Sequence, residues 1–96
     1  MNYRIIVTHQ ARQDLKDISK IIAKDKPLVA RRFVSGLKKY FDDRLRYFPF
    51  SGRQIERNVG MLTYKKHIIL YDASEGEKTV KILHIFAGGR NWEECL

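Results

Sequence analysis

The sequence has little of what small secreted or membrane proteins depend on. It contains one cysteine, Cys95, so no intramolecular disulfide can form. No apolar run approaches the roughly 18 residues that a membrane-spanning helix requires. The first residues lack the long apolar stretch and small-residue cleavage site of a signal peptide. These absences exclude a disulfide-stapled fold, and we expect a cytoplasmic protein that makes no membrane contact.

The motifs of common enzymes are also missing. The chain contains no HExxH, CxxC, P-loop or GxSxG sequence. His9, His67, His84 and Cys95 do not have the spacing of metal ligands. With 96 residues, the chain predicts a single domain over residues 1–96, with a core too small for a deeply enclosed cofactor. We therefore expect no metal and no cofactor.

The charge is large and unevenly distributed. Nineteen basic and 11 acidic residues give a net charge of +8, and residues 1–58 hold 14 of the basic and 6 of the acidic ones. Residues 59–96 hold 5 of each, so the first part of the chain carries the whole excess. Such a surface attracts an acidic partner, either a nucleic acid or an acidic protein segment. The alternative is that the charge only keeps a small protein soluble.

Hydrophobic periodicity predicts a strand followed by two helices. Alternating apolar residues indicate a strand over residues 3–7. A helix capped by Thr8 then ends near Lys24. Pro27 fits the first turn of a second helix, whose apolar face extends to Phe48.

The period changes to that of strands after residue 52. Three strands are predicted at Met61–Tyr64, His67–Asp72 and Thr79–Ala87, and residues 54–59 form either a strand or an extended approach to one. Residues 91–96 are expected to form a short helical turn. The fold class is therefore α+β, with an N-terminal strand, a helical hairpin and a three-stranded antiparallel meander that completes one sheet.

The last strand is apolar on both faces. One face is expected to carry Ile82, His84 and Phe86, and the other Leu83, Ile85 and Ala87. Two helices can cover only one face of the sheet. We therefore expect an apolar groove on the second face that a partner fills, unless the tail and loops cover it.

The order of these segments resembles a known family. The resemblance is carried by Tyr3-Arg4-Ile5, by Thr8, Ala11, Asp14, Leu15 and Ile18, by Pro27, Ala30 and Phe33, by Leu45, Phe48, Pro49, Gly52 and Arg53, and by Ile68, Ile69, Tyr71, Ile82–Ile85, Gly88, Arg90 and Trp92. Over nearly the whole chain, this pattern is similar to that of the RelE/ParE toxins of type II toxin–antitoxin modules.

The resemblance implies a cognate antitoxin that wraps around the toxin in a hetero-oligomer. It also implies a role in growth arrest and plasmid stabilisation. The predicted antitoxin-binding residues are basic side chains of the first part of the chain: Arg31, Arg32, Lys38, Lys39 and Arg53.

Two activities occur within this superfamily. ParE-like members inhibit DNA gyrase by binding and are not enzymes, and the predicted target-binding residues here are Arg90, Asn91, Trp92 and Tyr71. RelE-like members cleave mRNA on the ribosome as endoribonucleases, and the candidate catalytic residues here would be Arg90, His67, His84 and Arg53. A third alternative is a degenerate module that binds only its antitoxin.

The details favour the ParE-like activity. The segment Gly88–Glu93 resembles the ParE-type ending, with Asn91 where that ending has Asp. Ile68 stands where RelE-like nucleases commonly carry an arginine, and the late tyrosine of those nucleases is missing.

Overall fold

A computed structural model describes residues 2–87, and every structural statement here refers to that range. The elements are β1 (Arg4–Val7), α1 (His9–Ala23), α2 (Pro27–Tyr40), β2 (Arg53–Glu56), β3 (Val59–Tyr64), β4 (His67–Ser74) and β5 (Thr79–Phe86). One sheet has the strand order β1-β5-β4-β3-β2. β1 pairs with β5 in parallel, and the other neighbours are antiparallel.

This architecture confirms the predicted α+β fold with a helical hairpin and one sheet. The meander has four strands instead of three, because residues 53–56 pair with β3 and form the edge strand β2. The helical turn expected at residues 91–96 lies outside the described residues.

α1 begins at a polar cap that also ties it to the sheet. Thr8 Oγ1 accepts a hydrogen bond from the amide of Ala11 at 3.3 Å and donates one to the carbonyl of Ile82 at 2.6 Å. The helix ends at Ala23, close to the predicted end. The buried side chains of Ala11 and Ile18 place the inner face of α1 in the core.

α2 ends differently from the prediction. After Tyr40 the chain continues as a wider π-helical turn, Phe41–Leu45, in which the amide of Arg46 reaches the carbonyl of Phe41 at 3.3 Å. This turn keeps Phe41 and Leu45 in the core. Beyond this turn, Phe48 is 63% exposed and does not continue the apolar face.

A β-bulge in β5 changes which residues face the helices. Leu70 pairs with His84, but the next residue, Tyr71, pairs with Ile82, so Leu83 is the extra residue. As a result Ile82 shares the helix-facing side with Ile85, not with His84 and Phe86. The predicted uninterrupted alternation along this strand is therefore wrong.

The sheet face that points away from the helices is not an open apolar groove. Its apolar residues Leu70 and Phe86 are only 1% and 6% exposed. The large exposed apolar side chains of residues 2–87 lie elsewhere, in the helical hairpin and after the π-helical turn: Ile21, Leu28, Val29, Tyr47, Phe48 and Phe50. The prediction of an open apolar groove on this face is therefore wrong.

The turn between β3 and β4 holds two lysines in the left-handed region. Tyr64 pairs with His67, and the connecting Lys65 and Lys66 have φ angles of 45° and 69°. A two-residue turn with both φ angles positive favours Asn-Gly. A side chain with a Cβ in this conformation costs on the order of 1 kcal/mol.

No helix within residues 2–87 is both long and apolar enough to cross a membrane.

Candidate binding surfaces

The predicted target-binding residues Arg90, Asn91 and Trp92 lie outside the described residues. The strand that leads to them is β5, which ends at Phe86 and lies between β1 and β4. They therefore follow the end of β5, which pairs with β4 up to Phe86 but with β1 only up to Ile82, and their role remains a prediction.

Tyr71 lies in the core. Its side chain is 1% exposed, and its hydroxyl accepts a hydrogen bond from the amide of Gly52 at 3.0 Å. Burial raises the pKa of this phenol, and the Gly52 N–H opposes that shift only in part. A side chain this buried is not presented to a partner, so we do not retain Tyr71 as a target contact.

Replacing Tyr71 with phenylalanine tests this structural role. The change leaves the Gly52 amide without its acceptor, so we expect a loss of about 1–2 kcal/mol of unfolding free energy. The raised pKa means that the stabilisation by Tyr71 is complete below pH ~10, the pKa in the unfolded chain, and is lost as pH rises further. Urea unfolding between pH 7 and 11 should therefore show a steeper alkaline loss for the parent than for Tyr71→Phe. Parallel pH profiles would contradict this.

The two candidate catalytic histidines lie on opposite faces of the sheet. The His67 ring packs on Phe33 at 4.7 Å between centroids, on the helix-facing side. His84 pairs with Leu70 on the other face, and its Nδ1 lies 3.6 Å from a carboxylate oxygen of Asp14. They do not converge on one substrate atom.

Arg53 is separated from both histidines. It is exposed on β2 and belongs to the row of paired residues that runs through Met61 and Leu70 to His84. Three strand spacings of about 4.8 Å put Arg53 and His84 about 14 Å apart along this row. The described members of the nuclease set are therefore dispersed. Within residues 2–87 no group of three His, Cys, Asp or Glu side chains could hold a metal ion.

The predicted antitoxin-binding residues of α2 are all exposed, but they form two groups. Arg32 and Lys39 are four residues before and three residues after Gly36, so they flank it on the helix surface. Arg31 and Lys38 flank Val34 in the same way, on the side of α2 that turns towards α1. Arg53 belongs to neither group.

A groove between the two helices was not predicted from the sequence. It has a volume of about 390 Å³ and is lined by Arg12, Leu15, Lys16, Ser19, Lys20, Ala23 and Val34. Arg12, Lys16 and Lys20 recur every four residues, so helical spacing alone could have placed these three cations on one side of α1.

The contact that Asp14 makes with the sheet was likewise not predicted from the sequence. One of its carboxylate oxygens accepts a hydrogen bond from the amide of Ile85 at 3.0 Å. β1 pairs only with Thr79–Ile82 of β5. Beyond Ile82, the Asp14 side chain accepts the hydrogen bond of a β5 amide that a neighbouring strand would otherwise accept. A local sequence pattern could not predict this contact, because 71 residues separate the two groups.

The comparisons with known proteins agree with this fold. A family model described as the ParE toxin of the type II toxin–antitoxin system parDE matches residues 5–92. No curated protein matches the sequence.

Solved structures of related systems share the architecture. The chromosomal ParDE system of P. aeruginosa superposes with a TM-score of 0.75 at 20% identity, over 90% of this chain and 96% of that chain. The RelBE2 complex of Mycobacterium tuberculosis gives 0.64 at 21% identity, over 91% and 99%. The isolated RelE toxin of E. coli gives 0.60 at 9% identity, over 97% and 94%.

The family model covers nearly the whole chain, and the ParDE and RelBE structures share its fold. The chain therefore belongs to the ParE toxin family of type II toxin–antitoxin systems.

Proposed function

We propose that this toxin inhibits DNA gyrase by binding it, without catalysing a reaction of its own. The observation that carries the proposal is the dispersal of the nuclease candidates: His67 and His84 are on opposite faces, and Arg53 is about three strand spacings from His84. General acid–base cleavage of RNA needs such groups within hydrogen-bond reach of one substrate. The match to the ParE family supports the same activity.

The alternative is a ribosome-dependent endoribonuclease like RelE. The isolated RelE toxin of E. coli is similar in structure to this chain, so the fold alone does not distinguish the two activities. The experiment therefore tests both.

One experiment with two arms decides between these activities. The purified toxin is incubated with gyrase and relaxed plasmid, and separately with translating ribosomes and mRNA. We expect loss of supercoiling or trapped cleaved DNA in the first arm and intact mRNA in the second. Codon-phased mRNA cleavage together with normal supercoiling would overturn the proposal. Heat-denatured toxin serves as the control in both arms.

We further propose that a cognate antitoxin neutralises the toxin in the cytoplasm by laying an acidic amphipathic segment along the groove between α1 and α2. Leu15, Ala23 and Val34 supply an apolar floor. Arg12, Lys16 and Lys20 supply cations on the α1 side, as Arg31 and Lys38 do on the α2 side. The ParDE and RelBE2 structures are of toxin–antitoxin systems, which supports a partner of this kind.

Reversing two cations beside the groove tests the antitoxin proposal. The double variant Arg31→Glu/Lys38→Glu should bind the antitoxin about tenfold more weakly at low salt, because like charges then face its carboxylates, and the difference should shrink at high salt. Titration calorimetry at two ionic strengths measures both effects. The matched control is Lys65→Glu/Lys66→Glu, which changes the charge equally at the β3–β4 turn. Equal losses in the two variants would contradict a site in the groove.

A further inference from the structure

The β3–β4 turn packs against α2. The Tyr64 hydroxyl lies directly over Gly36, where an added Cβ would collide with it. The Tyr64 ring also packs on Tyr40 at 5.1 Å and on Phe33 at 5.8 Å between centroids. The Tyr40 hydroxyl donates a hydrogen bond to the carbonyl of Thr63 at 3.4 Å. These contacts fix the turn beside the part of α2 that surrounds Gly36.

Four cations meet at this junction. Lys65 and Lys66 form the turn, and Arg32 and Lys39 flank Gly36, all of them exposed. None of the four makes an ion pair within residues 2–87. The nearest carboxylates along the chain after Lys39 are Asp42 and Asp43, three and four residues later, and Asp42 pairs with Arg46. We call this set the turn–helix basic surface.

The turn holds its lysines against local preference. Both have positive φ angles, of 45° and 69°, where Asn-Gly would be unstrained. Neither lysine is neutralised by a carboxylate, although Lys65 Nζ lies 5.6 Å from the centroid of the Tyr64 ring. A strained conformation that presents two such charges at the surface is a feature expected of a binding site.

The surface lacks what a protein partner or a single-stranded nucleic acid would use. Among the large exposed apolar side chains of residues 2–87, only Leu28 and Val29 lie at helical spacing from a member of this set, Arg32, and they lie at its edge. Protein interfaces instead have an apolar core. The rings of Tyr64 and His67 are packed against α2, so they are not free to stack on unpaired bases. Cations without an apolar or stacking element fit the phosphate backbone of a duplex.

We propose that the turn–helix basic surface binds the phosphate backbone of duplex DNA. If gyrase is the target, the toxin contacts the DNA that gyrase holds as well as the enzyme. Only this second statement rests on the proposed function, because DNA binding by the toxin alone does not require gyrase.

The test is a salt series of fluorescence anisotropy titrations with a labelled 20-bp duplex. Four neutralised phosphates predict a slope of log K against log salt of about −3.6. The variant Lys65→Asn/Lys66→Gly removes two charges and suits the turn, so it should fold at least as well as the parent. Its slope should fall in magnitude by about 1.8. Lys24→Ala/Lys26→Ala loses the same charge at the connection between the helices, and it should leave the slope within about 0.5 of the parent value.

Three results would overturn the inference. One is the absence of salt-dependent duplex binding by the parent toxin. Another is an equal loss of slope in the two variants, because the net charge alone would then explain binding. The third is tighter binding of a single-stranded RNA of equal charge. Salt-dependent duplex binding in a toxin that leaves gyrase unaffected would support this inference while refuting the proposed target.

Discussion

Replacing Arg90 with alanine is expected to abolish growth arrest while the protein stays folded. Arg90 follows Gly88 and Gly89 after β5, the strand that lies between β1 and β4. The planar guanidinium can make paired hydrogen bonds to a carboxylate or phosphate of the target. We expect Arg90→Ala to change the unfolding free energy by no more than a typical surface substitution does, about 0.5 kcal/mol, which corresponds to about 2–4 °C in the melting temperature. Expression without antitoxin and a thermal melt measure the two effects.

Trp92 supplies the comparison for Arg90. A tryptophan can be a binding hot spot, or it can close a core, in which case Trp92→Ala would cost about 3–5 kcal/mol and unfold so small a domain. A charged arginine is rarely fully buried, so we expect Arg90, unlike Trp92, to be dispensable for a core. Full toxicity in a folded Arg90→Ala protein would remove Arg90 from the target site, and a collapsed melt would make it structural. Asn91→Ala completes the set and is expected to weaken toxicity without changing the melt.

The second large effect is expected at Gly60, where a single methyl group should destabilise the whole domain. A Cβ at this position would lie 2.5 Å from Cζ and 2.6 Å from the hydroxyl oxygen of Tyr71. Tyr71 is buried and hydrogen-bonded, so its ring cannot move away. We expect Gly60→Ala to lower the unfolding free energy by about 2–3 kcal/mol, or the melting temperature by about 10–20 °C.

Gly76 provides the matched control for Gly60. It lies in the β4–β5 turn, and an added Cβ would meet nothing within 4 Å. Gly76→Ala should therefore leave the melting temperature unchanged or raise it slightly, because alanine restricts the unfolded chain. The collision is tested by a double-mutant cycle: if the losses of unfolding free energy of Gly60→Ala and Tyr71→Leu simply add in the double variant, contact with the Tyr71 ring is not the cause.

The sequence was most informative where local rules decide the structure. Thr8 and Pro27 mark the helix starts, and the apolar spacing of Ala11 and Ile18 fixes the inner face of α1. The strands could be located because their apolar residues are interrupted by polar residues at the turns. For these elements, the residues that give the signal are also the ones that make the contacts.

The structure differs from the sequence-based predictions where contacts between residues far apart in the sequence determine the conformation. The bulge at Leu83 shifts Ile85 to the helix-facing side, and only the pairing with β4 reveals it. Tyr71 looked like a candidate contact because sequence alone could not show that its ring fills the space left by Gly52 and Gly60. Similarly, Phe48 continues the helical period but is exposed, and the spacing of apolar residues alone could not show this.

The pairing of β1 with β5 has a consequence for the timing of folding during synthesis. β1 lies at the edge of the sheet, and its parallel partner begins 75 residues later, since Arg4 pairs with Thr79. At about 5–20 residues per second, a ribosome needs roughly 4–15 s to make the intervening chain. β5 also joins β1 to the rest of the sheet and leads to Arg90. A nascent chain therefore cannot complete its sheet until β5 has been synthesised, several seconds after β1.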